Sequence, residues 1–226
     1  MPYSSLTIDH LSIGVQNLHE GAFRLRHKTG FGDYDGGWFP PHGIAVRMMP
    51  TGDDTYIEIE SNTDFHSKSP SSLWFNEQTV RGDVFIGWSL RVGARQDLEA
   101  IAKRLGVDVA DSPLRTRPDG SRPHSVRAPE SGMAWRRGLP SFFWVENMSQ
   151  HPSRLPTTGG RLQPLGIKAL ELGGAEEEMS EWLGMRAAEL PLTFNGLSAG
   201  LHAVSIATEA GIVEIRNPPV TLERQD

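Results

Sequence analysis

The sequence has 226 residues, of which 38% are hydrophobic and 22% charged, a composition typical of a globular protein. Its 22 basic and 28 acidic side chains give a formal charge of -6, so neither nucleic acid nor an anionic membrane is expected as a partner. Because cysteine is absent, disulfides and thiolate chemistry are excluded, and any metal ligands must be His, Asp or Glu. No targeting segment or long apolar run is visible, which leads us to expect a cytoplasmic protein.

The first sixty residues predict a strand, a helix and three short strands. Alternating apolar residues indicate a strand at Leu6–Val15. Asn17 is a suitable N-cap for a helix at Leu18–Lys28, which Gly30 ends. Turn residues then separate three predicted strands, at Gly36–Phe39, Ile44–Met49 and Thr55–Glu60.

After a polar, serine-rich connector at Ser61–Gly82, with room for a short helix, the same order of elements begins again. The second round is predicted as a strand at Asp83–Val92, a helix at Gln96–Leu105, and strands at Val107–Ala110, at Ser125–Arg127 or Met133–Arg137, and at Ser141–Glu146. The third is predicted as a strand at Leu165–Leu172, a helix at Glu176–Leu183, and strands at Leu190–Phe194, Leu201–Thr208 and Ile212–Arg216.

This repetition predicts an α+β fold made of repeated β-α-β-β-β modules. We place the first module at residues 1–61, a connector at 62–82, the second module at 83–160 and the third, C-terminal module at 161–226. The repeat is one of pattern rather than of sequence identity.

Each predicted module ends in a strand that carries a glutamate between apolar residues, namely Glu58, Glu146 and Glu214. A buried carboxylate without a partner is costly, so each of them either faces water on a one-sided sheet or has a partner such as a cation or a metal. His10 lies in the first strand with Ser12 in phase, on one face of the sheet. A lone histidine in a strand is more often a hydrogen-bonded residue than a ligand, but Glu58 at the end of the same module favours a metal site.

Several segments resemble glyoxalase-like proteins of the vicinal oxygen chelate superfamily. Ile8–Ile13, followed by a helix, and Gly52–Ile59 resemble the opening and closing strands of their first module. Arg115–Gly120, Leu139–Glu146 and His151-Pro152 look like the middle of the three-module glyoxalase-like subgroup. The resemblance covers most of the chain.

The resemblance implies a half-open curved sheet built from paired modules, with metal ligands on the first and last strands of each. By position it implies His10, Glu58 and Glu146 as ligands of a divalent ion, which could be Mn, Fe(II), Zn, Ni or Mg, and Glu58 or Glu146 as a catalytic base. Gly87 stands where the second module would supply its first-strand ligand. The two-His-one-carboxylate set of an Fe(II) dioxygenase is therefore not expected.

Three further residues are candidates for substrate binding. Arg115 and Arg117 could hold an anionic group of the substrate by bidentate hydrogen bonds, although clustered arginines also make ordinary ion pairs. His42 could replace polar lining that the family pattern has and this chain lacks, although a histidine in a Pro-Pro-His-Gly loop is more often a surface residue.

The resemblance implies a divalent-metal-dependent lyase or isomerase that acts on a small oxygenated substrate, either a carbonyl compound or a hydroxy acid, with dioxygenase chemistry less expected. The alternative is a non-catalytic protein that binds or sequesters a small molecule without metal, similar to the bleomycin-resistance members of the superfamily. A third interpretation is an assembly module, with the third unit pairing across a homodimer. Fold similarity alone does not decide between these functions.

Overall fold

A computed structural model describes residues 6–39, 43–64, 69–111, 120, 123–129, 134–146 and 150–217. The predicted substrate-binding residues His42, Arg115 and Arg117 lie outside the described residues. No helix in the described ranges is both long enough and apolar enough to cross a membrane.

The β-α-β-β-β order occurs three times along the chain. The first module consists of β1 (Thr7–Gly14), α1 (Leu18–Thr29), β2 (Tyr34–Phe39), β3 (Ile44–Gly52) and β4 (Thr55–Asn62). A ten-residue helix, α2 (Pro70–Thr79), precedes the second module, which consists of β5 (Val84–Arg91), α3 (Arg95–Leu105), β6 (Ala110–Asp111), β7 (His124–Ala128) and β8 (Ser141–Glu146). The third module consists of β9 (Pro164–Gly173), α4 (Glu176–Leu183), β10 (Leu192–Phe194), β11 (Gly200–Thr208) and β12 (Gly211–Arg216).

The first two modules share one curved sheet, and the third has its own. The eight-stranded sheet has the order β2-β3-β4-β1-β5-β8-β7-β6, and the four-stranded sheet has the order β10-β9-β11-β12. The two modules of the larger sheet meet at the antiparallel pair β1–β5, whereas β1 and β4 run parallel, as do β5 and β8. The predicted α+β fold with repeated modules is confirmed, while the module boundaries stay a prediction.

Local sequence signals explain where the first helix begins and ends. The Asn17 side chain accepts hydrogen bonds from the backbone N–H groups of His19 and Glu20, both at 3.1 Å, which satisfies donors that the helix leaves free. Gly30 ends the helix in the left-handed conformation, with φ at 76°, which a glycine adopts at little cost. Both predicted helix signals therefore act as expected.

In the second module one predicted strand differs from the structure, and the structure chooses between two alternatives for another. Of Val107–Ala110, only Ala110 pairs in the sheet, as part of the short β6. Of the two alternatives that followed, Ser125–Arg127 lies in a strand, whereas Trp135–Arg137 forms a 3-10 turn. The Trp135 indole N–H of this turn donates to the Trp88 carbonyl oxygen at 3.1 Å. The turn therefore packs against β5 and does not add a strand to the sheet.

The sheet of the first two modules has one apolar face and one face with polar groups. On the apolar face, Leu11 of β1 and Trp88 of β5 are fully buried in one core cluster with residues of α1, α3 and α4, and residues of the third module belong to the same cluster. We call this the helix face. The opposite face carries His10, Ser12 and Ser89, and we call it the site face.

Candidate functional site

A β-bulge in β1 brings two neighbouring polar side chains together. Ile8 pairs with Leu90 of β5, and His10 pairs with Ser89, so Asp9 is the extra residue of the bulge. The Asp9 carboxylate oxygen lies 2.8 Å from His10 Nδ1, and both side chains are buried. Because a bulge redirects side chains locally, Asp9 sits beside His10 rather than on the face that strict strand alternation would give it.

The buried Asp9 carboxylate lies beside an arginine and a second histidine. Arg91 Nε lies 3.2 Å and His151 Nε2 lies 3.6 Å from Asp9 Oδ1. Burial by itself would raise the pKa of Asp9, but hydrogen bonds with His10 and His151 and the charges of His10 and Arg91 hold this pKa well below its ordinary value. Asp9 is therefore an anion that fixes the orientation of the His10 ring, and among the described residues no hydrogen bond engages His10 Nε2.

Two carboxylates lie beside His10 on the neighbouring strand β4. The parallel register pairs Glu58 with Ser12 and Glu60 with Gly14. Both glutamates are in phase with Tyr56, whose ring stacks on His10 with the centroids 5.1 Å apart, and this places both on the site face. Glu60 is buried, whereas Glu58 is half-buried.

The carboxylates and His10 shift one another's pKa values. Burial, together with the negative charge of Glu58, raises the pKa of the Glu60 carboxyl to about 7, although the charges of His10 and Arg127 act against this rise. Burial also acts to lower the pKa of His10, but the charges of Glu58, Asp9 and Glu60 outweigh it, and the pKa lies above its ordinary value. The site therefore combines a carboxyl group that is close to its titration midpoint near neutral pH with an imidazole whose pKa is raised.

The second module supplies no acidic or histidine ligand at the matching positions. A Cβ on Gly87 would lie 2.0 Å from the Trp135 ring, so that indole covers the place of the first-strand ligand. When His10–Ile13 is laid over Gly87–Leu90, Ser141 takes the register position of Glu58. Ser141 is in fact bonded to Ser89, with the two hydroxyl oxygens 2.8 Å apart.

The structure does not bring Glu146 together with His10 and Glu58. Along β8, Glu146 is in phase with Phe142, which is buried in the core on the helix face. Phe143, of the opposite phase, contacts the His10 ring edge-on with the centroids 5.6 Å apart. Strand alternation therefore places Glu146 on the other side of the sheet from His10.

Glu146 has a different partner near the sheet edge. Its carboxylate lies 2.9 Å from His124 Nδ1, while His124 Nε2 lies 2.7 Å from the Asp111 carboxylate. The hydrogen bonds with Glu146 and Asp111 raise the pKa of His124 above its ordinary value. The role of Glu146 in the described structure is thus to pair with a partly exposed histidine.

A metal site built from the predicted ligands does not fit this geometry. His10 and Glu58 remain as two donors on the site face, and the third predicted ligand, Glu146, faces away. In the ranges that the structure describes, no group of three or more His, Asp or Glu side chains is arranged so that it could hold a metal ion.

Two segments flank the site face. Helix α2 lies close against β1 at Gly14. A Cβ on this glycine would be only 2.8 Å from the Thr79 methyl group and 3.4 Å from the Phe75 ring. On the other side, the 3-10 turn Pro152–Arg154 is held by Tyr34, whose hydroxyl donates to the Pro152 carbonyl oxygen at 2.9 Å. Between them, apolar side chains of β3 and β4 pack beside the carboxylates, including Val46, Met48 and Tyr56.

A comparison with protein families matches residues 8–185 to the family described as glyoxalase-like domain. The chain belongs to this glyoxalase-like family, within the vicinal oxygen chelate superfamily. A search of curated proteins found no match.

This glyoxalase-like chain is similar to several solved structures. A hypothetical protein from Staphylococcus aureus covers 96% of the chain and 88% of its own length, with a TM-score of 0.56 and 12% identity. Methylmalonyl-CoA epimerase from Mycobacterium tuberculosis covers 62% of the chain and 87% of its own length, with a TM-score of 0.44 and 17% identity. A Streptomyces coelicolor methylmalonyl-CoA epimerase in complex with 2-nitronate-propionyl-CoA covers 64% and 97%, with a TM-score of 0.46 and 19% identity. At such identities the likeness concerns the fold alone.

Sequence reasoning missed four polar residues around the glyoxalase-like site: Asp9, Glu60, Arg127 and His151. Asp9 directly precedes His10, but strand alternation assigns neighbours to opposite faces. Glu60 is in phase with Glu58, and this spacing of two residues could have indicated that both lie on the same face of the sheet. Glu60 is, however, the last residue of the predicted strand. Arg127 and His151 are far from the first module in sequence, and only the pairing of β7 with β8 and the turn after β8 bring them to the site.

Proposed function

We propose that this glyoxalase-like protein is an enzyme that moves a proton on a small carbonyl compound or hydroxy acid, in an isomerase or lyase reaction. One observation carries this proposal. The Glu60 carboxyl, buried and with its pKa raised to about 7, lies on the site face beside a histidine that Asp9 holds in place. Buried acids with a pKa near neutrality, next to an oriented histidine, are typical of groups that transfer protons.

Glu60 is the base in this proposal. In its ionised form it takes a proton from the carbon next to the substrate carbonyl, and the electron pair of that C–H bond moves towards the carbonyl oxygen. Glu58 raises the proton affinity of Glu60 through its negative charge. The proton on Glu60 can then return to a different position, which gives an isomerase, or a leaving group can depart, which gives a lyase.

His10 stabilises the oxygen on which negative charge develops. Its Nδ1 is held by the Asp9 carboxylate, so a protonated Nε2 can donate a hydrogen bond to that oxygen. The rings of Tyr56 and Phe143 pack against the imidazole and reduce its access to water. Asp9 acts through His10 and is a positioning residue.

Proton exchange with solvent tests this function. Small 2-oxo acids, 2-hydroxy acids and 2-oxoaldehydes are incubated with the protein in D2O. Proton NMR then follows the loss of the C–H signal of the carbon next to the ketone carbonyl or, in a hydroxy acid, of the carbon that bears the hydroxyl group. Glu60→Gln is compared with Glu99→Gln, which changes an exposed glutamate of α3. We expect proton exchange with wild type and with Glu99→Gln. With Glu60→Gln the exchange rate should decrease by a factor of about 100 or more.

Two further outcomes are informative. Ligand binding by wild type without any exchange would contradict the enzyme proposal and favour the alternative of a small-molecule binding protein. Parallel samples with EDTA or with added Mn, Zn or Ni show whether exchange needs an ion. A strict metal requirement would contradict proton transfer by Glu60 and His10 without a metal ion.

A further inference from the structure

The site face has an acidic side and a basic side, and this asymmetry bears on the substrate. Asp9, Glu58 and Glu60 come from the first module. From the second module, Arg91 is already engaged by Asp9 and by the Asp54 carbonyl oxygen, to which it donates at 3.0 Å. Arg127 is a further cation on the side of the second module.

The sheet register places Arg127 on the site face. Arg127 of β7 is directly opposite Phe143 of β8 in an antiparallel pair, and residues directly opposite each other extend from the same face. Phe143 contacts the His10 ring. The charge of Arg127 also acts on the Glu60 carboxyl of the first module, which agrees with a guanidinium that lies across the site from the proposed base.

The Arg127 side chain is half-buried, and within the described part of the chain its guanidinium makes no ion pair or hydrogen bond. Removing a charge from water without a counter-ion is unfavourable. A guanidinium also presents its donors in a planar fork that matches the two oxygens of a carboxylate. An anionic group of the ligand would therefore complete the environment of Arg127.

We propose that Arg127 binds the carboxylate of the substrate, so that the substrates are small carboxylic acids with an adjacent oxygenated carbon, of the 2-oxo or 2-hydroxy acid class. This inference rests on the proposed function and narrows it, because neutral carbonyl compounds would lack the contact with Arg127. With its carboxylate on Arg127, such an acid directs its oxygenated carbon towards the first module, where Glu60 and His10 are located.

Binding of matched charged and neutral probes tests the inference. The probes are 2-oxobutyrate and its methyl ester, which differ by one charge, and inorganic phosphate serves as a different anion. Dissociation constants are measured by NMR titration for wild type, Arg127→Gln, Arg127→Lys and the control Arg95→Gln, which changes an exposed arginine of α3. Thermal melting of each variant shows that it is folded.

We expect wild type and Arg95→Gln to bind 2-oxobutyrate about tenfold or more tightly than the ester and than phosphate. Arg127→Gln should lose this preference with little change for the ester, and Arg127→Lys should keep part of it, because lysine retains the charge but not the fork. Unchanged affinity of Arg127→Gln for 2-oxobutyrate would overturn the inference. In that case, Glu60-dependent exchange with the ester would leave the proposed function standing. Failure of every small carbonyl probe to bind to wild type would contradict both the inference and the proposed function.

Discussion

Replacing Glu60 by glutamine should change how stability depends on pH. In the folded protein the pKa of Glu60 is about 7, against an ordinary value of 4.5. As pH rises from 4.5 to 7, the unfolded chain releases this proton while the folded protein retains it, so the free energy of unfolding of wild type decreases over this window. Glutamine does not titrate, so the variant does not experience this loss.

The expected magnitude follows from the size of the shift. A difference of one pH unit between folded and unfolded pKa corresponds to about 1.4 kcal/mol, so the rise to about 7 corresponds to about 3 kcal/mol. Relative to wild type, Glu60→Gln should therefore gain about 3 kcal/mol of stability between pH 4.5 and pH 7 and nothing further above that range.

Urea unfolding at a series of pH values between about 4.5 and 8 measures this difference. Glu99→Gln, which changes an exposed carboxylate, is the control and should differ from wild type by a nearly constant amount. If the stability difference between Glu60→Gln and wild type stays flat, or falls as pH rises, the assignment of Glu60 as a buried carboxyl with a raised pKa is refuted.

Three further predictions concern other parts of the account. Asp9→Asn should slow substrate proton exchange about tenfold or more and lower the pKa of His10, measured by NMR, because the anion that orients and charges the ring is lost. Glu146→Gln should lower the pKa of His124 and leave the exchange rate within about twofold of wild type; a large loss of rate would contradict its placement on the helix face. Gly87→Ala should lower the free energy of unfolding by about 1 to 3 kcal/mol, because the added Cβ would lie 2.0 Å from the Trp135 ring. A smaller loss when the same substitution is made in the Trp135→Ala variant would confirm that contact.

The order of elements was readable from sequence because most signals are local. Alternating apolar residues in β1, the Asn17 cap and the glycine that ends α1 each act over a few positions, and the module pattern repeats them. The same local reasoning wrongly predicted a strand at Val107–Ala110. Of these residues only Ala110 pairs with a neighbouring strand.

The composition of the site was harder to predict because it depends on strand phase and on the bulge. Glu58 and Glu146 occupy similar places in their segments, but only Glu58 is in phase with the site face of its sheet. The bulge at Asp9 shifts the phase of β1 by one residue, and nothing in the local sequence marks it. The pKa of Glu60 depends on burial and on Glu58 and Arg127, so it follows from the tertiary structure alone.

The most direct test of the central claim is the pH dependence of proton exchange on a 2-oxo acid. If the ionised form of Glu60 is the base and the protonated form of His10 is the donor, the wild-type rate should rise with pH, with a midpoint near 7, and fall again at the higher pH at which His10 loses its proton. Glu60→Gln should lack this limb at every pH, while Glu99→Gln should retain it. A wild-type profile that is flat between pH 5 and pH 8, or a Glu60→Gln variant that keeps the wild-type rate, would contradict the claim that this carboxyl transfers the proton.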